Sequence, residues 1–156
     1  MDKTNKITIT CDNWDERVSI AQKVASLMGI NLLDIDDYVL RGSVMTGDIE
    51  NLSKAEFVDK FGANIFDTLE AISYMAYIDK VEEPFVISVG NDRNEWNAGP
   101  LRKTISIHIS HEGESGLSSL LCDYSIPSQK SISSTAKKIA KIVATDDRWA
   151  KNLHSN

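Results

Sequence analysis

The spacing of hydrophobic residues changes early in the chain from one regular pattern to another. Ile7 and Ile9 alternate with polar residues in Lys6–Thr10, which is typical of a β-strand. Over residues 17–28 the apolar side chains instead recur at helical spacing, and Gly29 follows where a glycine commonly ends a helix. The chain is therefore predicted to begin with a strand, a short turn and a helix.

The same two patterns continue to the end of the chain. Short apolar runs predict strands at 32–36, 85–89 and 104–109, and a fifth strand within 119–126. Helices are predicted up to Gly42, from a capping box at Ser53 and Glu56, over about 64–80, and from Ser133. The inward face of the helix over 64–80 is expected to carry Ile65, Phe66, Leu69, Ile72, Met75, Ala76 and Ile78.

This alternation of strands and helices predicts the fold class. Helices on both faces of a parallel sheet give a three-layer α/β/α fold, here with five strands in one domain, residues 1–156. Such folds bind ligands at the carboxyl ends of their strands. We therefore expect any site in the segments 10–17, 34–37 and 90–93 and in the loop after Ile109.

Composition and charge exclude several classes of function. The chain has 17 basic and 23 acidic residues and a net charge of −6, which argues against nucleic-acid binding and against docking on anionic membranes. No apolar run approaches the roughly 20 residues of a membrane span, and residues 1–6 lack the apolar segment of a signal peptide. Cys11 and Cys122 form neither a disulfide framework nor a zinc spacing. A cytoplasmic protein without a resident metal or cofactor is expected.

The turn after the first strand lacks the chemistry that its position suggests. A strand, a short turn and a helix form the setting of a phosphate-binding loop, or P-loop. Residues 10–18 contain no glycine and no lysine followed by serine or threonine, and Asp15 and Glu16 add two negative charges. The sequence therefore predicts that this turn does not cradle a phosphate group.

Five segments follow one another in the order found in one known protein family. Residues 23–36 match that family's first helix, second strand and Asp-x-Asp motif. Residues 65–70 match its Phe-Arg-x-x-Glu motif, and residues 86–92 match a strand that ends in three glycines. Residues 122–126 and the helix after them match its last strand and helix. The chain thus resembles shikimate kinase along nearly its whole length, which implies a P-loop NTPase-like fold; the cytidylate-kinase-like proteins fit its middle less well.

The resemblance places altered residues at the family's nucleotide-binding positions. The P-loop glycines fall on Cys11, Trp14 and Glu16, the loop lysine falls on Arg17, and the magnesium-binding serine falls on Val18. A tryptophan crowds a nest of backbone N–H groups, and a glutamate repels phosphate. Arginine lacks the compact reach of an ammonium group, and valine has no oxygen to offer magnesium.

The substrate and lid positions depart from the family as well. The substrate-binding arginine falls on Asp67, and the three glycines fall on Gly90, Asn91 and Asp92, so that one glycine is kept. The 11 residues of 111–121 contain no arginine and are too few for the family's lid with its catalytic arginine.

Together these departures touch nucleotide binding, metal binding, substrate binding and lid closure, the supports on which phosphoryl transfer depends. We therefore expect a non-catalytic, shikimate-kinase-like protein (a pseudokinase) that acts through a partner protein or a small ligand at the strand ends. Self-association is one form such a partnership can take. The alternative is a divergent shikimate- or cytidylate-kinase-like phosphotransferase for a small molecule.

Each charged residue at the predicted strand ends allows two interpretations. Asp34 and Asp36 match family residues that assist magnesium and hold substrate hydroxyls, or they are strand-end acids of which Asp36 or its neighbour caps the next helix. Arg17 is either an anion site or the partner of Asp34. If the two acids converge with Asp67 and Asp92, the carboxylates raise one another's pKa unless a cation lies among them, which makes a divalent metal or an amine the candidate ligand. Otherwise all four face water at different heights.

Overall fold

The computed structural model describes residues 2–42, 52–90, 95–111 and 121–153. Its strands are β1 (Lys6–Thr10), β2 (Asn31–Asp34), β3 (Phe85–Ser88), β4 (Ile105–Ser110) and β5 (Tyr124–Pro127). Its helices are α1 (Trp14–Met28), α2 (Ile35–Gly42), α3 (Lys54–Phe61), α4 (Ala63–Lys80), α5 (Ala98–Arg102) and α6 (Ile132–Thr145), with a 3-10 turn at Glu95–Asn97. Among these helices none combines the length and the apolar character needed to cross a membrane.

The five strands form one parallel sheet in the order β2-β3-β1-β4-β5. β1 lies at the centre, where Ile7 is in register with Val86 of β3 on one side and with Ile105 of β4 on the other. The chain builds one half of the sheet with β2 and β3 and the other half with β4 and β5. The winding therefore changes direction beside β1, and the carboxyl end of β1 is the expected place for a ligand site.

Helices cover both faces of the sheet, which confirms the predicted three-layer architecture. α1 and α6 pack on one face, where Ile9, Val24 and Ile139 belong to the same buried cluster. The helices α2 to α5 lie on the other face, where the buried cluster includes Phe57 and Ile87. Each layer buries the apolar stripe of its helices against the sheet, which supplies most of the stabilisation of such folds.

The sheet face below α4 is partly polar. Thr8 of β1 exchanges a hydrogen bond with the hydroxyl of Tyr74 and lies 2.9 Å from the Thr104 hydroxyl. Two residues further along β1, Thr10 Oγ1 lies 2.8 Å from Nδ1 of the buried His108. Buried hydroxyl groups need such partners, since an unpaired one costs free energy.

This polarity explains why the expected inward face of α4 was wrong in part: Phe66 is buried and Leu69 and Ile78 pack against the core, but three of the seven residues are exposed. The exposed fractions of Ile65, Ile72 and Met75 are 40%, 54% and 44%. The residues that α4 buries are Phe66, Glu70, Ala71 and Tyr74. Tyr74 fits the hydroxyl-bearing strands below it, whereas an isoleucine at that place would leave the Thr8 hydroxyl without this partner.

α1 begins at Trp14, three residues before the predicted start, because Asn13 caps it. The Asn13 side-chain oxygen accepts a hydrogen bond from the backbone N–H of Glu16 at 2.9 Å. Asp15 and Glu16 then lie in the first turn, where the partial positive charge of the helix end favours acids. At the other end Gly29 has a φ of 66°, the left-handed conformation expected of a terminating glycine.

Other boundaries differ by a few residues. β2 ends at Asp34 and α2 begins directly at Ile35, so Asp36 lies inside the first helical turn instead of capping it. Ser131, not Ser133, caps α6. The capping box at Ser53 is present as predicted, whereas α5 had no clear signal in the sequence.

Asn13→Ala is expected to lower the free energy of unfolding by about 1 kcal/mol, because it removes the cap of the helix that carries Arg17. Asn13→Asp keeps an accepting oxygen and should retain most of the stability. Urea denaturation of both variants measures the difference. If both variants lost the same free energy of unfolding, the hydrogen bond between the Asn13 side chain and the Glu16 N–H would make no contribution to stability.

Candidate functional site

Arg17 brings a buried positive charge to the carboxyl ends of the central strands. Only 2% of its side chain is exposed. Nε donates to Ser88 Oγ at 2.7 Å, and Nη1 donates to the backbone carbonyl of Cys11 at 3.2 Å. Nη2 donates to Asp36 Oδ2 at 3.0 Å and lies 3.5 Å from Asp34 Oδ1. All three guanidinium nitrogens thus bond to acceptors of the chain itself, as burial of this group requires.

Trp14 completes the partners of Asp34. Its indole Nε1 donates to Asp34 Oδ2 at 2.7 Å, while the Arg17 guanidinium carbon lies 6.0 Å from the centre of the indole ring. Burial raises the pKa of Asp34 above its ordinary value, and the positive charge of Arg17 and the Trp14 hydrogen bond oppose that rise. The expected pairing of Arg17 with Asp34 is present, and the shorter contact is made by Asp36.

Gly90 leaves room for the carboxylate of Asp36. A Cβ atom at this position would lie 2.4 Å from Asp36 Oδ2 and 3.1 Å from Arg17 Nη1. These distances are shorter than van der Waals contact, so a side chain here would displace the ion pair. The glycine after β3 is therefore required by the close approach of a side chain to the backbone.

Glu70 places a second buried acid behind Asp36. Burial, together with hydrogen bonding to Asp36 and its charge, raises the pKa of Glu70 to about 10, although the Asn97 amide donates to Glu70 Oε1 at 3.2 Å. Within the described residues Asp36 Oδ1 and Glu70 Oε2 have no hydrogen-bond donor. A protonated Glu70 supplies the donor that two ionised carboxylates would lack, so Glu70 is neutral near pH 7.

The start of α1 is occupied by groups of the chain itself. One Glu16 oxygen accepts a hydrogen bond from Ser128 Oγ at 2.8 Å, and the other lies 2.9 Å from Nε2 of His111. The Asn13 side chain accepts a hydrogen bond from the backbone N–H of Glu16. A helix start offers backbone N–H groups and partial positive charge to an anion, and here acids and a capping side chain are already in place.

An open groove of about 460 Å³ lies beside this network. Its lining residues are Trp14, Asp15, Val18, Ser19, Asp34 and Asp37. Three of the six are acids and none is basic, so the groove is suited to a cationic group better than to a phosphate.

The structure brings together five of the positions singled out in the sequence: Trp14, Arg17, Asp34, Asp36 and Gly90. Cys11 joins them through its carbonyl oxygen. Val18 lines the groove, and Asp67 is half-buried on α4. Asp92 lies outside the described residues. The cation between Asp34 and Asp36 is Arg17, which fills the role that the sequence left open to a bound cation or amine.

Four residues of the site had escaped the sequence interpretation: Ser88, Glu70, Asn97 and His111 as the partner of Glu16. Ser88 had a signal, because a serine inside the most hydrophobic strand requires a hydrogen-bond partner. Glu70 had one as well, because it falls on the glutamate of the Phe-Arg-x-x-Glu motif that residues 65–70 match. Asn97 contacts Glu70, 27 residues away along the chain, and His111 contacts Glu16, 95 residues away. No local sequence pattern indicates contacts over such separations.

The fold is shared with small P-loop kinases of known structure. Shikimate kinase from Acinetobacter baumannii, in complex with shikimate, is 14% identical with a TM-score of 0.74, over 94% of this chain and 96% of that one. Shikimate kinase from Aquifex aeolicus is 15% identical with a TM-score of 0.70, over 89% and 96%. Dephospho-CoA kinase from Campylobacter jejuni is 11% identical with a TM-score of 0.53, over 90% and 97%. No family model matches the sequence, and no curated protein matches it.

These similarities confirm the expected resemblance to shikimate kinase at the level of the fold. Five parallel strands between two helical layers, with the central strand leading into α1, form a P-loop NTPase-like domain. At these identities the likeness concerns the fold alone, so the chemistry of the site has to be argued from the residues of this chain.

Gly90→Ala is expected to destabilise the fold by about 1–3 kcal/mol, because the added methyl group overlaps the Asp36 carboxylate. Gly99→Ala is the matched control, since a Cβ there meets no atom within 4 Å and α5 gains a better helix former. Thermal and urea denaturation measure both. Equal stabilities of Gly90→Ala and the parent chain would contradict the close approach.

Glu70→Gln is expected to change the pH dependence of stability. The pKa of Glu70 rises from an ordinary value of 4.5 to about 10 on folding, so the folded chain holds an extra proton between these values. The stabilising contribution of Glu70 is fully present below about pH 4.5 and is lost as the pH rises from there towards about 10. Glu70→Gln has no such proton, and its free energy of unfolding should rise relative to the parent by at most about 1.4 kcal/mol per pH unit.

Urea denaturation from about pH 6 to pH 9 measures this difference. The exposed Glu56→Gln serves as the control, because its curve should run parallel to that of the parent chain. A Glu70→Gln curve that is also parallel would mean that Glu70 is ionised in the folded protein.

Proposed function

We propose that this chain is a non-catalytic protein with the shikimate kinase fold, which acts by binding at the carboxyl ends of its strands and not by phosphoryl transfer. The observation that carries the proposal is the buried Arg17, whose guanidinium takes the place where the resemblance puts the phosphate-binding lysine. Its nitrogens bond to Ser88, Cys11, Asp34 and Asp36. Four of its five N–H groups are thus directed at acceptors of the chain itself, and the side chain is only 2% exposed, so little of it is available to a nucleotide phosphate.

The start of α1 supports the same conclusion. A phosphate at a helix start requires backbone N–H groups that point at it and an absence of nearby negative charge. Here the Asn13 side chain accepts a hydrogen bond from the Glu16 N–H, and Asp15 and Glu16 lie in the first turn. Bringing a polyphosphate to this turn would place like charges together, at a cost that the single charge of Arg17, already paired, does not offset.

The positions for magnesium binding and substrate binding also lack the groups that a kinase requires. Val18 offers no oxygen to a magnesium ion, and it faces the acidic groove. Asp67 stands where the resemblance puts an arginine for the substrate carboxylate. Phosphoryl transfer depends on positioning and electrostatic stabilisation, so the joint change of these groups removes its basis.

The acidic groove beside Trp14 indicates what the scaffold binds instead. Asp15, Asp34 and Asp37 line it, with one indole ring as an apolar wall. A ligand or partner segment that carries an amine or guanidinium group would complement this charge, and the indole would add a cation–π contact. The proposed function is therefore recognition of a cationic small molecule or of a partner protein through a basic segment.

Isothermal titration calorimetry with ATP and magnesium tests the first part of the proposal. No heat of binding is expected in the micromolar range, with or without shikimate as the second ligand. A shikimate kinase with an intact P-loop, titrated in the same buffer, provides the positive control. A phosphate-release assay across nucleotides and small hydroxylated acceptors accompanies the titration.

Micromolar binding of ATP would overturn the proposal. Turnover with any acceptor would favour the alternative, a divergent small-molecule phosphotransferase, and would require Arg17 to leave its internal partners. A structure with nucleotide would then show the Arg17–Asp36 distance lengthened from its 3.0 Å.

A further inference from the structure

Three potential metal ligands meet at the start of α1, and we name them the Cys-Glu-His cluster: Cys11, Glu16 and His111. One ligand atom of each residue lies within 4.8 Å of the other two. Cys11 Sγ lies 3.7 Å from His111 Nε2, and Glu16 Oε2 lies 2.9 Å from the same nitrogen. The cluster joins the end of β1, the first turn of α1 and the end of β4, three segments that the fold alone brings together.

We propose that the Cys-Glu-His cluster binds a zinc ion. Tetrahedral zinc with ordinary bond lengths separates a thiolate sulfur from an imidazole nitrogen by about 3.6 Å, and a nitrogen from a carboxylate oxygen by about 3.3 Å. The observed sulfur–nitrogen distance already matches, and the nitrogen–oxygen pair has to open by a few tenths of an ångström when the ion replaces the hydrogen bond.

The kinds of ligand decide which metal the cluster prefers. One sulfur, one nitrogen and one oxygen suit zinc and similar borderline ions, whereas magnesium and calcium require oxygen ligands throughout. Three protein ligands leave the fourth zinc position to water or to an exchangeable ligand, which is the arrangement of open zinc sites. The side chains of His111 and Glu16 are 38% and 20% exposed, so this position can be reached from solvent.

Ser128 supplies the support that metal ligands commonly have. Its hydroxyl donates to Glu16 Oε1 at 2.8 Å, which turns Oε2 towards His111. Cys11 is 1% exposed and lies in the core between β1 and α1, so its sulfur is held by packing. Groups that orient a ligand in this way raise metal affinity by about tenfold or more.

Zinc titration of chelator-treated protein tests the proposal, followed by calorimetry and by cobalt absorption. One zinc ion per chain is expected, and cobalt should show the charge-transfer band of a thiolate ligand. His111→Ala, Glu16→Gln and Cys11→Ala should each weaken zinc binding by well over tenfold, and Ser128→Ala should weaken it by about tenfold. The His111 side chain is 38% exposed, so we expect this variant to stay folded, and circular dichroism checks that it does.

Two matched controls separate the cluster from other acids and thiols. Cys122→Ser changes a cysteine that packs against the opposite face of the sheet, and Glu56→Gln changes an exposed acid on α3. Both should keep the zinc affinity of the parent chain. Absence of stoichiometric zinc binding, a cobalt complex without the thiolate band, or equal affinity in His111→Ala would overturn the proposal. None of these results depends on whether the chain binds nucleotide.

Discussion

The burial of one guanidinium group sets the arrangement of the whole strand-end region. Removing Arg17 from water is costly, and the structure offsets that cost with a carboxylate at 3.0 Å, a serine hydroxyl and a backbone carbonyl. Asp36 has to turn inward from α2 to reach it, and only a glycine at position 90 leaves room for that carboxylate. Burial and the neighbouring carboxylate of Asp36 raise the pKa of Glu70, which favours its protonated form.

This constraint links stability to function. A P-loop kinase keeps its cation and its helix start available for phosphates, whereas here both are used within the chain. The charge that would attract a nucleotide is paired with Asp34 and Asp36, and the helix start holds Asp15 and Glu16. On the proposed function, the same fold carries a different kind of site, because function depends on the groups at the strand ends and not on the sheet that supports them.

Local periodicity was enough to predict the architecture. Alternation in β1, helical spacing in α1 and the Ser53 capping box are local patterns, and each was found close to its predicted place. The inward face of α4 was wrong in part, because hydropathy favoured Ile72 and Met75 while the hydroxyls of the sheet below select Tyr74. A hydrophobic pattern describes how apolar a helix face is, but it carries no information about the polarity of its partner.

The sequence by itself determined the order of the elements, the parallel three-layer fold and the absence of P-loop residues at 10–18, since all of these follow from neighbours along the chain. Only the tertiary structure decided how the charges pair: that Asp36 is the closer partner of Arg17, that burial beside Asp36 raises the pKa of Glu70, and that His111 reaches Glu16. The physical reason is that pairing energies depend on distance and burial, and both are set by contacts between segments far apart in sequence.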